Sequence, residues 1–242
     1  IGENFNLIYS PERDDPGSNI KNFYVPRLIS GKTKNCLKIA KVLYGKIFKK
    51  LVSMDDMRTA EITKLFENIF RSINIGLVNE MKKICFKMNI DVHKMIQAAS
   101  TKPYGFFKFL PGPGLGGHCI PIDPFYLSWK AKKYNVDTKF IKLAGQINRS
   151  MPSWVIGRVL ENFHKKKLSI NKKKFLILGV AYKKNIDDIR ESPALKIMEK
   201  LKMKGYNFDY SDPYVKKIVF NKKTKKSIKI TKKILKKYPI TM

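Results

Sequence analysis

The longest regular apolar pattern in the chain lies between residues 58 and 88. Apolar side chains recur there every three or four positions, no proline interrupts them, and the only glycine is Gly76. This spacing predicts one amphipathic helix of about 30 residues, longer than the roughly 8 to 20 residues usual in globular proteins. Helices of this length commonly link domains or form a dimer seam, so the segment predicts the centre of a helical middle region.

The residues before this helix follow a different pattern. A short apolar run at 5–9 breaks at Pro11, which predicts the end of a strand followed by a loop. Residues 34–45 have the apolar spacing of a short helix, and 46–54 have the pattern of a strand. This order is that of the end of an α/β domain.

The residues after the long helix predict further helices and then a second α/β pattern. The helices are expected at 92–99, 124–134 and 139–165. A continuous apolar run at 173–182 and the run at 206–213 predict two strands with a helix at 191–205 between them. That helix has Ser192 as its N-cap, Pro193 at its first position and Gly205 beyond its end. The three elements form a βαβ unit of parallel-sheet type.

The charge of the chain invites a nucleic-acid interpretation. The formal net charge is +31, and the densest basic segment is 216–237. The excess is nearly all lysine and is spread along the whole chain, so a genuine nucleic-acid partner is not expected. The basic segment is predicted to be a solvated amphipathic face. DNA binding through this segment stays an alternative that rests on charge alone.

Other features of composition bound the environment. No apolar run reaches the roughly 18 residues of a membrane-spanning helix, and residues 1–10 lack the basic start and apolar core of a signal peptide. The three cysteines are far apart and include no CxxC pair, which indicates a reducing compartment, expected to be the cytoplasm. Neither a membrane partner nor a metal site is predicted.

The segment PGPGLGGHCIPIDPFYL, residues 111–127, places a cysteine in a dense glycine and proline run. Glycines allow a backbone to approach a ligand closely, so Cys119 is predicted to be a reactive thiol, whereas Cys36 and Cys85 on helix faces are predicted to be buried. Asp123 is expected to orient a water or a lysine, to cap the following helix, or both. His118 is expected to be a structural or substrate contact, because adjacent side chains in an extended segment point apart.

Two polar residues of the long helix are a further candidate pair. Lys64 and Asn68 stand at i and i+4, on one face and off the apolar stripe. Such a pair could hold an oxyanion and a water together. On so lysine-rich a chain, the alternative is an ordinary solvated face.

Several segments occur in the order found in a known enzyme family. They are SPERDDPG, AEITKLFENI, NIGLVNEM, PGPGLGGHCIPIDPFYLSWKA and LGVAYKKNIDDIRESP. From about residue 5 to 215 the chain resembles the UDP-glucose/GDP-mannose dehydrogenase family of UDP-sugar 6-dehydrogenases. GGHCIPIDP favours the branch that acts on N-acetylated sugars, with UDP-N-acetylglucosamine as the expected substrate.

This resemblance implies an activity and a nucleophile. A nicotinamide cofactor, NAD, oxidises the sugar C6 alcohol to an aldehyde, and a cysteine captures the aldehyde as a thiohemiacetal. A second oxidation gives a thioester, which water releases as the uronic acid, for surface polysaccharide biosynthesis. Cys119 matches this nucleophile and Lys64 the stabiliser of oxyanion charge. Asn68 and Asp123 match the residues that position water, and Glu12 matches the acidic residue beside the sugar.

The resemblance also implies binding residues and an assembly. Tyr182 and Lys183 match substrate contacts in the C-terminal domain, and Gly116, Gly117 and His118 belong to the substrate-binding loop. Arg190 matches a contact with the phosphates of NAD. A homodimer is implied as well.

The chain also departs from the family pattern. It contains no GxGxxG turn, and the glycines at 112–117 are no substitute, because no strand–turn–helix is predicted around them. Position 103 is Pro103 where UDP-glucose enzymes have an arginine. The final strands of the C-terminal domain, with a substrate-binding arginine, are expected to be missing. We therefore interpret the chain as a fragment, with a separate N-terminal NAD-domain polypeptide as a possible partner.

These features define the expected fold class, which is α/β. Residues 1–57 would be the remnant of a Rossmann-like domain, 58–166 a central all-helical domain, and 167–242 a truncated Rossmann-like domain. The alternative to an enzyme is a non-enzymatic remnant that acts as a dimerising or regulatory helical module.

Overall fold

The computed structural model describes residues 1–165, 174–238 and 240–242. They divide into two compact units, Ile1–Phe70 and Arg71–Met242. The α/β class with a helical middle is confirmed. The domain boundary expected after residue 57 stays a prediction, and the one expected after residue 166 lies outside the described residues.

The first unit contains a small mixed sheet with one helix. Its strands lie in the order β1-β2-β3, with β1 antiparallel and β3 parallel to β2. Helix α1 connects β2 to β3, and the hydroxyl of Thr33 accepts a hydrogen bond from the backbone N–H of Cys36 to cap it. The elements are β1 (Ile8–Tyr9), β2 (Arg27–Gly31), α1 (Lys34–Gly45) and β3 (Leu51–Met54).

The predicted strand at 46–54 is only half right. Strand β3 begins at Leu51, because the residues before it continue the end of α1 as a turn. The backbone N–H groups of Ile47 and Phe48 both donate to the carbonyl of Tyr44, at 3.0 and 2.8 Å. The turn therefore uses backbone N–H groups that a strand would have needed for hydrogen bonds to its neighbouring strand.

The long helix α2 spans Met57–Lys87, close to its predicted bounds. Its burial differs from the expected pattern. Asn68, Ser72 and Asn79, which are polar, are buried, so the alternative of a solvated polar face is wrong for Asn68. Much of the apolar stripe is exposed to solvent, including Ile62, Phe66, Leu77 and Ile84.

Three further helices complete the helical region. They are α3 (Val92–Ala99), α4 (Asp123–Lys132) and α5 (Lys139–Lys165). Helix α4 begins one residue before the predicted start. Its N-cap is Ile122, so Asp123 is the first helical residue and not the cap. A carboxylate in the first turn still interacts favourably with the helix dipole.

The C-terminal α/β elements form a parallel sheet in the order β5-β4-β8. The predicted βαβ unit is present as β4 (Lys174–Leu178), α6 (Pro193–Met203) and β5 (Asn207–Ser211). The Ser192 hydroxyl caps α6 by accepting from the backbone N–H of Ala194, as expected. Gly205, with a φ of 80°, ends the helix: its N–H donates to the carbonyl of Lys202.

Most lysines of the basic tail are exposed, as a solvated amphipathic face requires, but the ordered elements of the tail were not predicted. The tail forms a hairpin of β6 (Lys217–Phe220) and β7 (Lys223–Lys226), a short helix α7 (Lys232–Leu235), and β8 (Ile240–Thr241). Ile218 and Phe220 are buried in the core of the C-terminal sheet, where the Phe220 ring packs edge-on against Phe208. Burial of these alternate residues supplies the free energy that orders a lysine-rich hairpin.

Among the described residues, no helix is both long enough and apolar enough to cross a bilayer.

Candidate functional site

A buried amide network holds the start of the glycine and proline loop. The side-chain N–H of Asn79 on α2 donates to the side-chain oxygen of Asn148 on α5, at 2.9 Å. The side-chain oxygen of Asn79 accepts from the backbone N–H of Gly112, at 2.8 Å. Asn148 in turn donates to the carbonyl of Ser72, at 3.0 Å. A satisfied buried network of this kind fixes the loop relative to both helices.

The middle of the loop packs directly on the C-terminal domain. A Cβ atom built on Gly116 would lie 2.4 Å from the Cβ atom of Tyr182, and one on Gly117 would lie 2.9 Å from its ring. Gly117 has a φ of 84°, and its N–H donates to the carbonyl of Arg190 at 2.9 Å. Only glycine allows so close an approach in this backbone conformation.

Cys119 lies at the exposed end of this loop, whereas Cys36 and Cys85 are buried, as the sequence predicted. The carbonyl of Cys119 accepts from the backbone N–H groups of Ile122 and Asp123, at 3.1 and 2.8 Å. These bonds form the turn that starts α4. The thiol is therefore attached to a structured turn and is open to an incoming molecule.

An ion pair lies beside the loop. The Arg190 guanidinium donates to both carboxylate oxygens of Asp188, with distances of 2.6 to 3.1 Å. The hydrogen bond from Arg190 lowers the pKa of Asp188, and the charge of His118 contributes in the same direction. Asp188 in turn raises the pKa of Arg190. A guanidinium cation therefore lies beside the loop, where the Arg190 carbonyl accepts from Gly117.

Tyr182 and Lys183 lie on a turn that follows β4, and hydrogen bonds to the Asp212 carboxylate hold this turn in place. The Asp212 carboxylate accepts from four backbone N–H groups: those of Val180 and Ala181 in the turn, and those of Tyr214 and Val215 after β5. Burial alone would raise the pKa of Asp212, but these hydrogen bonds outweigh it and lower the pKa.

This turn lines a pocket of about 370 Å³. It lies at the carboxyl ends of β4 and β5, where open α/β sheets bind their ligands. Its lining includes Tyr182, Lys183, Lys184, Asn185, Asp212 and Tyr214. The pocket offers ammonium groups to an anionic ligand and aromatic rings to a flat one.

Glu12 lies in the first unit and is held by Arg27. One Glu12 oxygen accepts from the guanidinium of Arg27 at 2.8 Å and from the backbone N–H of Arg13 at 2.8 Å. The Arg27 guanidinium is itself stacked near the ring of Phe48, with 4.9 Å to the centroid. Partial burial would raise the pKa of Glu12, but the hydrogen bond from Arg27 reverses this effect, so the pKa is lowered.

An ion pair connects the Glu12 segment to α2. Arg13 donates to both carboxylate oxygens of Glu67, at 2.6 and 3.4 Å. Glu67 precedes Asn68 on the helix and lies less than one turn after Lys64. The sequence patterns identified neither Arg13 nor Glu67. The segment SPERDDPG contains the arginine, but nothing in the sequence indicates its partner 54 positions away.

The predicted site residues therefore fall into two groups. Glu12, Lys64 and Asn68 belong to the first unit, while Cys119 and the other candidates belong to the second. The convergence of Lys64 and Asn68 with Cys119 and Asp123 stays a prediction, as do the individual roles of the site residues.

Comparison with known proteins assigns the chain to a family. Residues 58–150 match the central domain of the UDP-glucose/GDP-mannose dehydrogenase family, and residues 176–240 match the UDP binding domain of the same family. The chain belongs to the UDP-glucose/GDP-mannose dehydrogenase family. The second match continues well past residue 215, so the resemblance extends further into the basic tail than the sequence motifs indicated.

Individual members of this dehydrogenase family show the extent of the similarity. A UDP-N-acetyl-D-mannosamine dehydrogenase of Methanococcus maripaludis is 37% identical over 209 residues, covering 86% of this chain and 47% of the relative. One of Campylobacter jejuni is 35% identical over 227 residues, covering 93% and 54%. A solved UDP-D-ManNAc dehydrogenase of Pyrococcus horikoshii superposes with a TM-score of 0.81 at 35% identity, covering 87% of this chain and 50% of that one. The chain spans about half the length of these relatives.

Proposed function

We propose that this chain is the substrate-binding and thiol-bearing part of an NAD-dependent dehydrogenase. The enzyme would oxidise the C6 hydroxyl of a UDP-N-acetylhexosamine to the uronic acid, as a step in surface polysaccharide biosynthesis. One observation carries the proposal: the loop that exposes Cys119 packs, through Gly116 and Gly117, on the residue Tyr182 that lines the nucleotide-sized pocket.

The pocket beside Tyr182 suits the diphosphate part of the substrate. Lys183 and Lys184 supply positive charge, and the pocket lies at the carboxyl ends of parallel strands, where open α/β sheets bind their ligands. The contact of Gly116 and Gly117 with Tyr182 joins this pocket to the Cys119 loop. A sugar attached to the diphosphate would extend from the pocket toward the thiol.

Cys119 would perform the covalent chemistry on C6. Its thiolate would attack the aldehyde carbon and form an S–C bond, while the carbonyl electron pair moves to oxygen and takes up a proton. Lys64 would stabilise the oxyanion before protonation. At the thioester stage, a water held by Asn68 and Asp123 would attack the carbonyl carbon, and the thiolate would leave as the carboxylate forms. Glu12 would lie beside the sugar.

The described residues do not fit a complete NAD site. The glycine run at 112–117 follows no strand, and a side chain at Gly114 or Gly116 would meet Pro193. These glycines are therefore packed against protein and do not form a cradle for a pyrophosphate. Among the described residues, Arg190 is the one proposed contact with the cofactor, and the steps assigned to this chain are those of the thiol and the water.

Two sugars are candidates for the substrate. The sequence motifs led us to expect UDP-N-acetylglucosamine, whereas the relatives compared above are named for UDP-N-acetyl-D-mannosamine. The two differ only in configuration at C2, away from the reacting C6. We propose a UDP-N-acetylhexosamine and treat the two epimers as separate arms of the assay.

The decisive assay measures binding and turnover on the same protein. The purified chain is titrated calorimetrically with UDP, UDP-N-acetylglucosamine and UDP-N-acetylmannosamine. NADH formation is then followed with each sugar nucleotide, alone and with an N-terminal dinucleotide-binding polypeptide added. We expect UDP-sugar binding by the chain alone and turnover in the complemented mixture. Absence of both would refute the proposal.

Cys119→Ser is the matched control for the nucleophile. A serine hydroxyl is a poor nucleophile without a dedicated base, so formation of the uronic acid should fall by several orders of magnitude while UDP-sugar affinity stays unchanged. Mass spectrometry of the products separates the two effects. Uronic acid formed at the unmutated rate would show that Cys119 is only a loop residue.

A homodimer is part of the proposal. The apolar stripe of α2 is spaced for a helical partner, and Phe66 and Leu77 are 64% and 54% exposed in the single chain. A second copy would cover such a stripe. Light scattering that gives the mass of a monomer would refute the homodimer. A dimer that binds none of the three nucleotides would favour the alternative of a non-enzymatic dimerising module.

A further inference from the structure

Asp212 is a buried acidic residue with no part in the chemistry proposed for the thiol and the water. It follows β5 directly and is 5% exposed. One carboxylate oxygen accepts from Val180 and Ala181, at 2.8 and 3.3 Å, and the other accepts from Tyr214 and Val215, at 2.8 and 2.9 Å. Each oxygen therefore has two N–H donors, which is about its full capacity.

The backbone of Asp212 is fixed as well. Its N–H donates to the Ser227 hydroxyl at 2.9 Å, and that hydroxyl donates to the Asp212 carbonyl at 3.0 Å. Ser227 follows the β6–β7 hairpin of the basic tail, so the tail fixes the backbone position of Asp212. Gly179, at the end of β4, donates to the carbonyl of Ser211 at 2.8 Å. The carboxylate thus has little freedom to move.

The two segments bonded to Asp212 are the two walls of the nucleotide pocket. Ala181, Tyr182 and Lys183 line one side, and Pro213 and Tyr214 line the other. Burial of a carboxylate without hydrogen-bond partners carries a large desolvation penalty, and the four N–H donors offset this penalty. The same bonds that keep Asp212 charged hold both walls at a fixed separation.

We propose that Asp212 is a positioning residue for the nucleotide pocket. Its carboxylate fixes the Tyr182 and Lys183 turn against the Tyr214 segment before a nucleoside diphosphate arrives, so binding does not have to order the turn. This inference rests on the proposed function, because it takes the pocket to be the UDP site. The same turn supports Gly116 and Gly117 through Tyr182, so the carboxylate also steadies the loop that ends at Cys119.

The test compares Asp212→Asn with Asp209→Asn on the full chain. The amide that replaces the Asp212 carboxylate has the same size, but its NH2 group faces two N–H donors and cannot accept from them. Asp209 lies on β5, which Asp212 follows, and pairs with Lys174 at 2.5 Å, yet it does not line the pocket. Both changes remove one negative charge from this part of the sheet, so Asp209→Asn controls for a general loss of stability.

UDP titration by calorimetry is the first readout, with thermal unfolding measured in parallel. We expect the Kd for UDP to rise at least about tenfold in Asp212→Asn, and to change less than about twofold in Asp209→Asn. The second readout is alkylation of Cys119 by iodoacetamide, which should accelerate in Asp212→Asn only. Disorder of the Tyr182 and Lys183 turn would change both the Kd for UDP and the alkylation rate of Cys119. A general loss of stability would change neither quantity at temperatures where the chain is still folded.

The outcomes separate this inference from the proposed function. A folded Asp212→Asn chain that binds UDP like the unmutated chain overturns the positioning role. If Asp212→Asn does not fold, Ser227→Ala replaces it. That change leaves the carboxylate intact and removes only the hydrogen bonds between the Ser227 hydroxyl and the Asp212 backbone. An unchanged Kd for UDP in Ser227→Ala then overturns the inference. An unmutated chain that binds no UDP refutes the UDP site itself.

Discussion

Replacing Gly116 by alanine should test how the Cys119 loop is held on the C-terminal domain. The added Cβ would lie 2.4 Å from the Cβ of Tyr182, 3.0 Å from Cδ of Pro193 and 3.1 Å from the carbonyl oxygen of Glu191. None of these three atoms is the end of a flexible side chain. The loop or the domain would have to move by about 1 Å to restore van der Waals contact.

The magnitude follows from two opposing effects. Overpacking a well-packed site costs about 1–3 kcal/mol, and three simultaneous contacts place this site at the upper end. Alanine also restricts the unfolded chain, which returns about 0.4–1 kcal/mol. The net loss of unfolding free energy should be about 2 kcal/mol. For a chain of this size that loss lowers the melting temperature by about 4–8 °C.

Gly112→Ala is the matched control because it lies in the same loop. A Cβ there would meet only the carbonyl of Gly114, at an ordinary 3.8 Å. Its predicted effect is neutral or slightly stabilising, by up to about 1 kcal/mol. The two variants differ in sequence by the position of one methyl group, so their difference reports the contact with Tyr182.

Urea unfolding followed by tryptophan fluorescence measures the effect, since Trp129 and Trp154 lie in the same unit as the loop. The alkylation rate of Cys119 is measured on the same samples. If the strain is relieved by detachment of the loop, Gly116→Ala should show faster alkylation with a smaller loss of stability. Equal stability and equal alkylation rates in the two alanine variants would refute the packing argument.

Three other predictions concern hydrogen bonds and an ion pair that stabilise the two units. Asn79→Ala should lower the unfolding free energy by about 2–4 kcal/mol in urea titrations, because it leaves the buried side-chain oxygen of Asn148 and the partly buried N–H of Gly112 without this partner; a loss below about 1 kcal/mol would contradict this. A double-mutant cycle of Arg13→Gln and Glu67→Gln should give a coupling of about 0.5–1 kcal/mol, as their side chains are 25% and 33% exposed; zero coupling would show that the pair does not tie the loop to α2. Burial and the hydrogen bond to Asp209 raise the pKa of Tyr238 from 10.0 to about 12, so its stabilisation is complete below pH 10 and is lost as the pH rises to about 12. The stability advantage of the unmutated chain over Tyr238→Phe should shrink over that range in alkaline unfolding curves, and a constant difference would exclude the linkage.

Local signals in the sequence were sufficient for the helices. The Ser192, Pro193 and Gly205 pattern placed α6 within two residues of its observed end, because capping depends on neighbours within one turn. The length and spacing of the apolar stripe likewise predicted α2. The glycine-rich context separated Cys119 from the two buried cysteines.

The basic tail shows where local signals were not enough. Asn221 and Lys222 both have positive φ and form a two-residue hairpin turn, but the surrounding lysines obscured the alternation of Ile218 and Phe220. A short hairpin is at best marginally stable by itself. Its formation depends on burial against Phe208, a residue outside the tail.

The sequence by itself determined helices α1 to α6, the family and the exposed thiol, because each of these depends on residues close together in the chain or on an ordered set of motifs. Tertiary structure alone decided that Asn79 bonds Asn148 across 69 positions, and that Asp212 accepts from Val180 across 32. A buried polar residue is stable only when its distant partners are present. No periodicity or spacing along the chain encodes that pairing, so the residues that hold the candidate site in place became visible only once the chain was folded.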